Sequence, residues 1–229
     1  MSLGGASHKR PRMSNCCVGA RGAIASQFNA ARAESDLKQY GTKGPNPTTR
    51  LLRDGIVGAG AGQTVLDVGA GIGVATFELL SAGFSTAFIV DASPAFVAVA
   101  RREALARGLA SRMTILEGDF LAIAAAVPTV DAVVMDRVVC CYPEYRPLLE
   151  QALKRGNRLF AYSYPRDRWY VRLVVALENL WRMVTRNPFR AVVHSTRAME
   201  GVILANGFRR ASRSGTVAWC VDVYRRGAA

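Results

Sequence analysis

The sequence predicts an α/β fold in which β-strands alternate with helices, and two neighbouring stretches carry this prediction. The first is a short β-prone run, Val65 to Val68, which ends in glycines at positions 69, 71 and 73. Val74 to Leu80 then has the apolar composition of a buried helix. The second stretch, Phe88 to Val90, is again β-prone and ends at Asp91. Strand, glycine turn, helix and strand in this order are the parts of a βαβ unit, on which parallel sheets are built.

Length and composition fit one domain with a short tail. The chain has 229 residues, of which half are hydrophobic, so a core of ordinary size can form. Residues 1–14 contain no apolar run, so they do not predict a signal peptide or a membrane anchor. We expect a disordered basic tail over residues 1–18 and a single domain over residues 19–229.

The charge balance is strongly basic. The chain carries 30 Lys and Arg against 17 Asp and Glu, and all but four of the basic residues are arginines. Arginine suits phosphate and carboxylate groups, but here the arginines are spread along the whole chain and form no single basic stripe. Composition therefore keeps nucleic acid as an alternative partner without favouring it.

The five cysteines do not have the pattern of a disulfide framework. Four of them form the adjacent pairs Cys16-Cys17 and Cys140-Cys141. Each pair lacks the two-residue spacer of ordinary zinc sites, so we interpret them as small buried residues and expect no metal. Unpaired cysteines favour a reducing, cytoplasmic setting.

Two helices are predicted ahead of the first strand, as a helical cap over residues 26–58. Ser26 can cap a helix over about residues 27–39, whose apolar face is too thin for a core helix. We interpret this helix as a lid segment over the ligand, closed by the loop of residues 40–45; an ordinary surface helix is the alternative. The Asn46-Pro47 pair then opens a second helix, since proline suits the first helical position.

The spacing of the glycines indicates which ligand the βαβ unit binds. Asp91 lies 20 residues beyond Gly71, where a carboxylate in such a unit accepts both hydroxyls of a ribose. A dinucleotide fingerprint, G-x-G-x-x-G, would need a third glycine where Val74 or Thr76 stands. The sequence therefore predicts an adenosine-type ligand that is not a dinucleotide.

The pattern acidic-x-G-x-G-x-G, which begins at Asp67, resembles motif I of the class I S-adenosylmethionine-dependent methyltransferases. Asp91 matches the ribose-binding acid of that family. S-adenosylmethionine has no pyrophosphate for a helix N-terminus, but its methionyl ammonium suits an acid such as Asp67. The resemblance implies a Rossmann-like, seven-stranded, mostly parallel sheet of order 3-2-1-4-5-7-6 with helices on both faces. Phe208 to Ser212 and Ala218 to Tyr224 would be its antiparallel pair.

The same resemblance extends to the third and fourth strands. Met113 to Leu116 would be strand 3, and the family's adenine-binding acid and the apolar residue after it would be Asp119 and Phe120. The run from Asp131 to Met135, which is apolar after its first residue, would be the central strand 4. Its end places further ligand-binding residues at the edge of the sheet. The predicted cofactor-binding residues are Asp67, Gly69, Ala70, Gly71, Asp91, Ala92, Asp119, Phe120, Asp136 and Arg137.

The residues after strand 4 indicate the acceptor class. Asp136 is not followed by the Pro-Pro pair of amine-methylating nucleic-acid enzymes, and no Pro precedes Cys140 as it would in RNA cytosine-C5 enzymes. Residues 138–143 and 162–169 resemble bacterial small-molecule methyltransferases of the UbiE and magnesium-protoporphyrin O-methyltransferase type. This resemblance implies O-methylation of a small or medium apolar metabolite. An RNA methyltransferase and a cofactor-binding protein without turnover are the alternatives.

The sequence does not identify a catalytic base. Methyl transfer depends mostly on orientation, and only some acceptors need a base. Tyr142 and Tyr164 stand near the ends of strands 4 and 5, where the acceptor must lie, and His194 stands at a strand-to-helix junction after a β-prone run, residues 189–193. These three residues are the catalytic candidates.

An amphipathic helix is predicted from Arg168 to Arg186, inside an insertion over residues 165–194 that separates core segments 62–164 and 195–226. At 100° per residue its apolar side chains fall in an arc of about 140°. Its charged residues exclude a transmembrane span. We predict that this helix is the acceptor lid, with Trp169, Leu173, Leu177 and Trp181 on the acceptor; plain packing and peripheral membrane contact are the alternatives.

Overall fold

The computed structural model describes residues 24, 26–60 and 62–227, which form one seven-stranded sheet flanked by helices. The strands are β1 (Thr64–Val68), β2 (Thr86–Asp91), β3 (Met113–Glu117), β4 (Val130–Asp136), β5 (Gly156–Pro165), β6 (Phe208–Gly215) and β7 (Trp219–Arg226). The helices are α1 (Ala30–Lys43), α2 (Pro47–Gly58), α3 (Val74–Ser81), α4 (Pro94–Ala106), α5 (Phe120–Ile123), α6 (Tyr145–Arg155), α7 (Trp169–Val184) and α8 (Thr196–Ala205).

The order of the strands is β3-β2-β1-β4-β5-β7-β6, so the predicted fold class and strand order are confirmed. The first five strands pair in parallel, and β7 pairs antiparallel with β5 and β6. The chain order reverses between β1 and β4. Ligands bind outside the carboxyl ends of the strands at such a switch point, which locates the site at the ends of β1, β2 and β4.

The core lies on both faces of the sheet, so the central strands are buried on both sides. In β1, Val65 packs in the cluster on one face and Leu66 in the cluster on the other. β4 is a continuous buried run from Ala132 to Met135, as expected for a central parallel strand. Asp67 is buried with its apolar neighbours at 1% exposure, which marks it as a residue with a special function.

The first helix differs from its prediction. The helix α1 begins after Asn29, whose Oδ1 accepts the N–H of Arg32 at 3.0 Å, and Ser26 is not its cap. It continues to Lys43, so residues 40–43 are helical and only the turn to Pro47 remains of the predicted loop. Asn29 supplies the cap because its side chain reaches the free N–H group in the first turn.

The β-prone run at residues 189–193 is not a strand. It contacts the site region through a hydrogen bond from the N–H of Val192 to the carbonyl of Cys140, at 2.9 Å. A strand here would need a free sheet edge, and β5 is already paired with β4 on one side and β7 on the other. Tertiary pairing therefore overrides local β propensity.

Three predictions concern features that the fold tests only in part. The tail and the Cys16-Cys17 pair lie outside the described residues. The described part of the chain contains no cluster of three or more potential metal ligands. Among the helices that the structure describes, none is long and apolar enough to cross a membrane.

Candidate cofactor and acceptor site

A cavity of about 660 Å³ opens at the carboxyl ends of β1, β2 and β4. One side, which we call the sheet wall, consists of the glycine turn after β1 and the carboxylates at the strand ends. The opposite side, which we call the helix wall, belongs to α7. The helix α1 and the segment before it also border the cavity. Both ligands of a group-transfer reaction could therefore meet between the two walls.

The glycine turn presents its backbone directly to the cavity. Gly69 has φ 65°, and its N–H donates to the carbonyl of Val90 at 2.8 Å. A Cβ at this position would lie 2.7 Å from the side chain of Val138, so only glycine fits. Gly71 also has a positive φ, 59°, and with Ala70 it lines the cavity. The turn can therefore hold a flat ligand against main-chain atoms.

The carboxylate of Asp91 joins the glycine turn to the end of β2. Its Oδ2 accepts the N–H of Gly71 and its Oδ1 accepts the N–H of Ser93, each at 2.8 Å. Burial raises the pKa of this carboxyl. Each oxygen retains acceptor capacity for a further donor. Asp91 and Ala92 line the cavity, where Asp91 can accept both hydroxyls of a ribose.

Asp67 is the most unusual group of the sheet wall. Its Oδ2 accepts the hydroxyl of Thr76 at 2.9 Å, whereas its Oδ1 is buried without a partner among the described residues. Burial, followed by the charges of Asp136 and Asp91, raises the pKa of Asp67 to about 7. An unpaired buried oxygen is costly, and an ammonium group in the cavity would satisfy it. The sheet wall thus fits a cofactor that carries an ammonium and a ribose.

Two hydroxyls fix the end of β4. Thr49 and Ser163 donate to the two oxygens of Asp136, both at 2.5 Å. Ser163 in turn accepts the N–H of Arg137 at 2.8 Å. This chain of bonds holds Arg137 at φ 62°, a strained conformation for a residue with a side chain. Asp136 and Arg137 both line the cavity, whereas no sequence signal indicated Thr49 or Ser163.

Asp119 and Phe120 do not line the cavity. Asp119 caps the short helix α5 through the N–H of Leu121 and accepts the hydroxyl of Tyr142 at 3.3 Å. Phe120 is 2% exposed because its ring packs into the core beneath the sheet. The structure therefore does not present Phe120 to an adenine ring, contrary to the sequence-based expectation.

Of the three catalytic candidates, only Tyr142 borders the cavity. Its hydroxyl donates to Asp119, and burial raises its pKa, so it remains protonated at neutral pH. Tyr164 is fully buried and donates to Asp222 at 2.8 Å. Its expected position at the acceptor edge is wrong, because its side chain is buried in the core cluster.

His194 also lies away from the cavity. Its Nε2 is 2.9 Å from the carbonyl oxygen of Tyr142 and 3.2 Å from that of Val139. Carbonyl oxygens only accept, so this nitrogen carries the hydrogen and donates. Burial lowers the pKa of the imidazole. The contacts give His194 a structural function, which is to hold the turn after β4.

The helix α7 forms where it was predicted and borders the cavity, but with a different face. The helix wall consists of Val171, Val174, Val175, Glu178 and Arg182. The expected contacts Trp169, Leu173, Leu177 and Trp181 point outward, and the two tryptophans are 76% and 69% exposed. The periodicity predicted which residues share one face of the helix, but contacts with distant residues determine which face borders the cavity. Asn179 provides one, since its amide group exchanges two hydrogen bonds with Ala191, at 2.8 and 3.0 Å.

Comparison with known proteins agrees with this geometry. Residues 65–159, from β1 into β5, match the model of a family described as a methyltransferase domain. No curated protein matches the chain in sequence.

Solved structures share the fold over most of the chain. Magnesium protoporphyrin IX methyltransferase from Synechocystis PCC 6803, with bound S-adenosylhomocysteine, is 18% identical with a TM-score of 0.71, covering 91% of this chain and 100% of that one. An O-methyltransferase family protein from Burkholderia thailandensis is 17% identical with a TM-score of 0.65, covering 88% of this chain and 62% of that one. The N-methyltransferase NodS from Bradyrhizobium japonicum is 16% identical with a TM-score of 0.61, covering 80% of this chain and 89% of that one. Residues 65–159 therefore match a methyltransferase domain, and these solved structures share the fold of the chain.

Proposed function

We propose that the enzyme methylates an acidic oxygen of a small or medium apolar metabolite. The observation that carries this proposal is the state of the acid–base groups around the cavity. Asp67 and Asp91 would be taken by the cofactor, and both oxygens of Asp136 accept hydroxyl groups. Tyr142 is protonated, and His194 and Tyr164 do not reach the cavity. Two further carboxylates line the cavity from the helices, and both are ion-paired. On α1, Asp36 pairs with Arg32 at 2.9 Å, and on α7, Glu178 pairs with Arg182 at 3.0 Å. An acceptor that is already ionised needs no base.

The cavity supplies cations and apolar contacts for such an acceptor. Arg137 lines the cavity from the end of β4, and Arg182 lines it from the helix wall, where one of its two terminal nitrogens is paired with Glu178. Arginine holds a carboxylate or phenolate through paired N–H groups. Phe28 and Val171 also line the cavity and offer apolar surface. We infer that the arginines hold the acidic group and that the apolar residues hold the body of the acceptor.

Catalysis in this proposal depends on orientation. When bound, S-adenosylmethionine supplies a methyl group on a cationic sulfur. Asp67 and Asp91 would hold the cofactor, and α1 and α7 would exclude water from the cavity. Fixing two reactants in line accounts for much of the rate enhancement in such reactions.

The proposal also includes the division of the chain into a core, a cap and an insertion. We infer a core over residues 62–164 and 195–226, a helical cap over residues 26–58 and an insertion over residues 165–194. The described cysteines, Cys140, Cys141 and Cys220, are free thiols. This state supports a reducing, cytoplasmic setting.

Fractionated metabolite extracts incubated with radiolabelled cofactor test the proposal. We expect label in small molecules that partition into organic solvent, bound either as an ester, which mild base cleaves, or as a phenol ether, which it does not. Label on an amine would contradict the acidic oxygen. Label on RNA, with RNA affinity that falls steeply as salt rises, would favour the nucleic-acid alternative.

A further inference from the structure

The outer face of α7, which we define as Trp169, Leu173, Leu177, Leu180, Trp181 and Val184, is exposed to an unusual degree. Eight of the thirteen exposed large apolar side chains in the described chain lie on this one helix. The patch continues past the helix, because the hydroxyl of Tyr170 donates to the carbonyl of Val217, itself 81% exposed, at 2.9 Å. A continuous apolar patch of this kind marks an interaction surface.

Positive charge surrounds this face. Residues 165–190 contain six arginines and two carboxylates. Both carboxylates are already paired, Asp167 with Arg172 at 2.7 Å and Glu178 with Arg182 at 3.0 Å. In the part of the chain that the structure describes, the remaining arginines form no salt bridge; they are Arg166, Arg168, Arg186 and Arg190. The surroundings of the outer face therefore carry a clear excess of positive charge.

We propose that the outer face of α7 docks onto an anionic lipid surface. An amphipathic helix with Trp and Leu on one face and arginines beside it binds in the interfacial region of a bilayer, where the apolar side chains are buried and the cations meet lipid phosphates. Trp169 and Trp181, near the two ends of the helix, are the residue type that favours this depth. An anionic lipid surface would bind both the apolar side chains of the outer face and the arginines beside it.

Other occupants fit the charges less well. In a two-fold dimer through α7, the arginines around one copy would meet those of the other. The chain as a whole carries a formal charge of +13, which adds to this repulsion. The first 23 residues are also basic and poor in large apolar side chains, so they do not complement the face.

Docking in this way has a consequence for the acceptor. Val174 lines the cavity and is also 53% exposed beside the outer face, so the cavity rim and the docking face are continuous. A docked enzyme would thus hold its cavity rim close to the lipid. We infer that the acceptor is an amphiphile that partitions into the bilayer, an inference that rests on the proposed function, whereas docking itself does not.

Vesicle sedimentation tests the docking. The probes are vesicles of phosphatidylcholine alone and vesicles of equal parts phosphatidylcholine and phosphatidylglycerol. We expect the native chain to bind the anionic vesicles, and the Leu173→Ser/Trp181→Ser variant to bind them at least about tenfold more weakly. Arg168→Gln and Arg186→Gln should each weaken binding about fivefold. The matched control is Leu105→Ser/Leu204→Ser, which removes two exposed leucines outside α7 and should leave binding unchanged.

Cofactor affinity, measured on every variant, shows that each one is folded. Docking is contradicted if the native chain does not bind anionic vesicles, binds neutral ones equally well, or binds equally well without Leu173 and Trp181. A native dimer that the Leu173→Ser/Trp181→Ser variant converts to monomer would also overturn it, because the face would then belong to a second copy. The acceptor assay of the native chain is independent of all these outcomes, so a failure of docking does not affect the proposed function.

Discussion

The two walls of the cavity are built in different ways. In the sheet wall, Asp91 binds the N–H groups of Gly71 and Ser93, and its neighbours are fixed by the strands on which they lie. In the helix wall, α7 has one buried residue, Val171, and is held by side-chain contacts such as that of Asn179 with Ala191. The spacing within one βαβ unit therefore determines where the glycine turn and Asp91 lie, whereas contacts from other elements determine which face of α7 meets the cavity.

The largest expected effect concerns the sheet wall. Asp91→Ala should weaken S-adenosylhomocysteine binding by about 1.5–3 kcal/mol, because charge-assisted bonds to the ribose are lost. The matched control is Asp131→Ala. Asp131 also accepts two backbone N–H groups, from Gln63 at 2.7 Å and Thr64 at 3.0 Å, but at the opposite end of β1. We expect Asp131→Ala to reduce the free energy of unfolding without changing cofactor affinity by calorimetry; equal losses of affinity in both variants would show that the effect is only structural.

The next largest effect is a pH dependence of cofactor affinity, which Asp67 should cause. Since burial raises the pKa of this carboxyl to about 7, it is mostly protonated below that pH, and only the ionised form pairs with an ammonium. Affinity for S-adenosylhomocysteine should therefore fall as pH decreases from about 8 to 6, by at most about tenfold per pH unit below the pKa. Methylthioadenosine, which lacks the ammonium, is the control ligand and should show no such slope. Asp67→Asn should remove the slope for S-adenosylhomocysteine, and a slope that persists in that variant would assign the titration to another group.

The helix wall gives a sharper contrast between neighbouring residues. Arg182 lines the cavity and Trp181 points outward, so Arg182→Gln should raise the KM of an acidic, water-soluble acceptor about tenfold through the lost charge contact. Trp181→Ala should change it less than about twofold. Steady-state kinetics in the absence of lipid measures both. If Trp181→Ala has the larger effect, α7 presents its apolar face to the acceptor in solution, as the sequence predicted.

The smallest effect is expected at Tyr142. Tyr142→Phe should lower kcat severalfold, because the protonated phenol shapes the cavity without serving as a base, and in any case by less than about a hundredfold. The rate of single turnover, with cofactor affinity checked separately, measures this. A loss of ten-thousandfold would identify a true base and an aliphatic hydroxyl acceptor.

The same difference between the walls explains which site residues could be predicted from the sequence and which could not. The motif at Asp67 and the acid at Asp91 were predictable because both belong to one βαβ unit, whose spacing brings the glycine turn to the end of β2. Thr49 and Ser163 were not, since each reaches Asp136 from a separate element. Phe120 was placed by the family resemblance at the end of strand 3, and Tyr164 by its distance from the end of strand 5. That distance does not say whether a side chain points to the cavity or to the core.

Calorimetric titration of the native chain with S-adenosylhomocysteine and with NAD tests the central claim most directly. The unpaired oxygen of Asp67, the ribose position at Asp91 and the absence of a third fingerprint glycine all predict binding of the first ligand and not of the second. Saturable binding of S-adenosylhomocysteine with one site per chain, and no heat with NAD, is the result that we expect. Tight NAD binding, or no binding of S-adenosylhomocysteine, would contradict the account of the site.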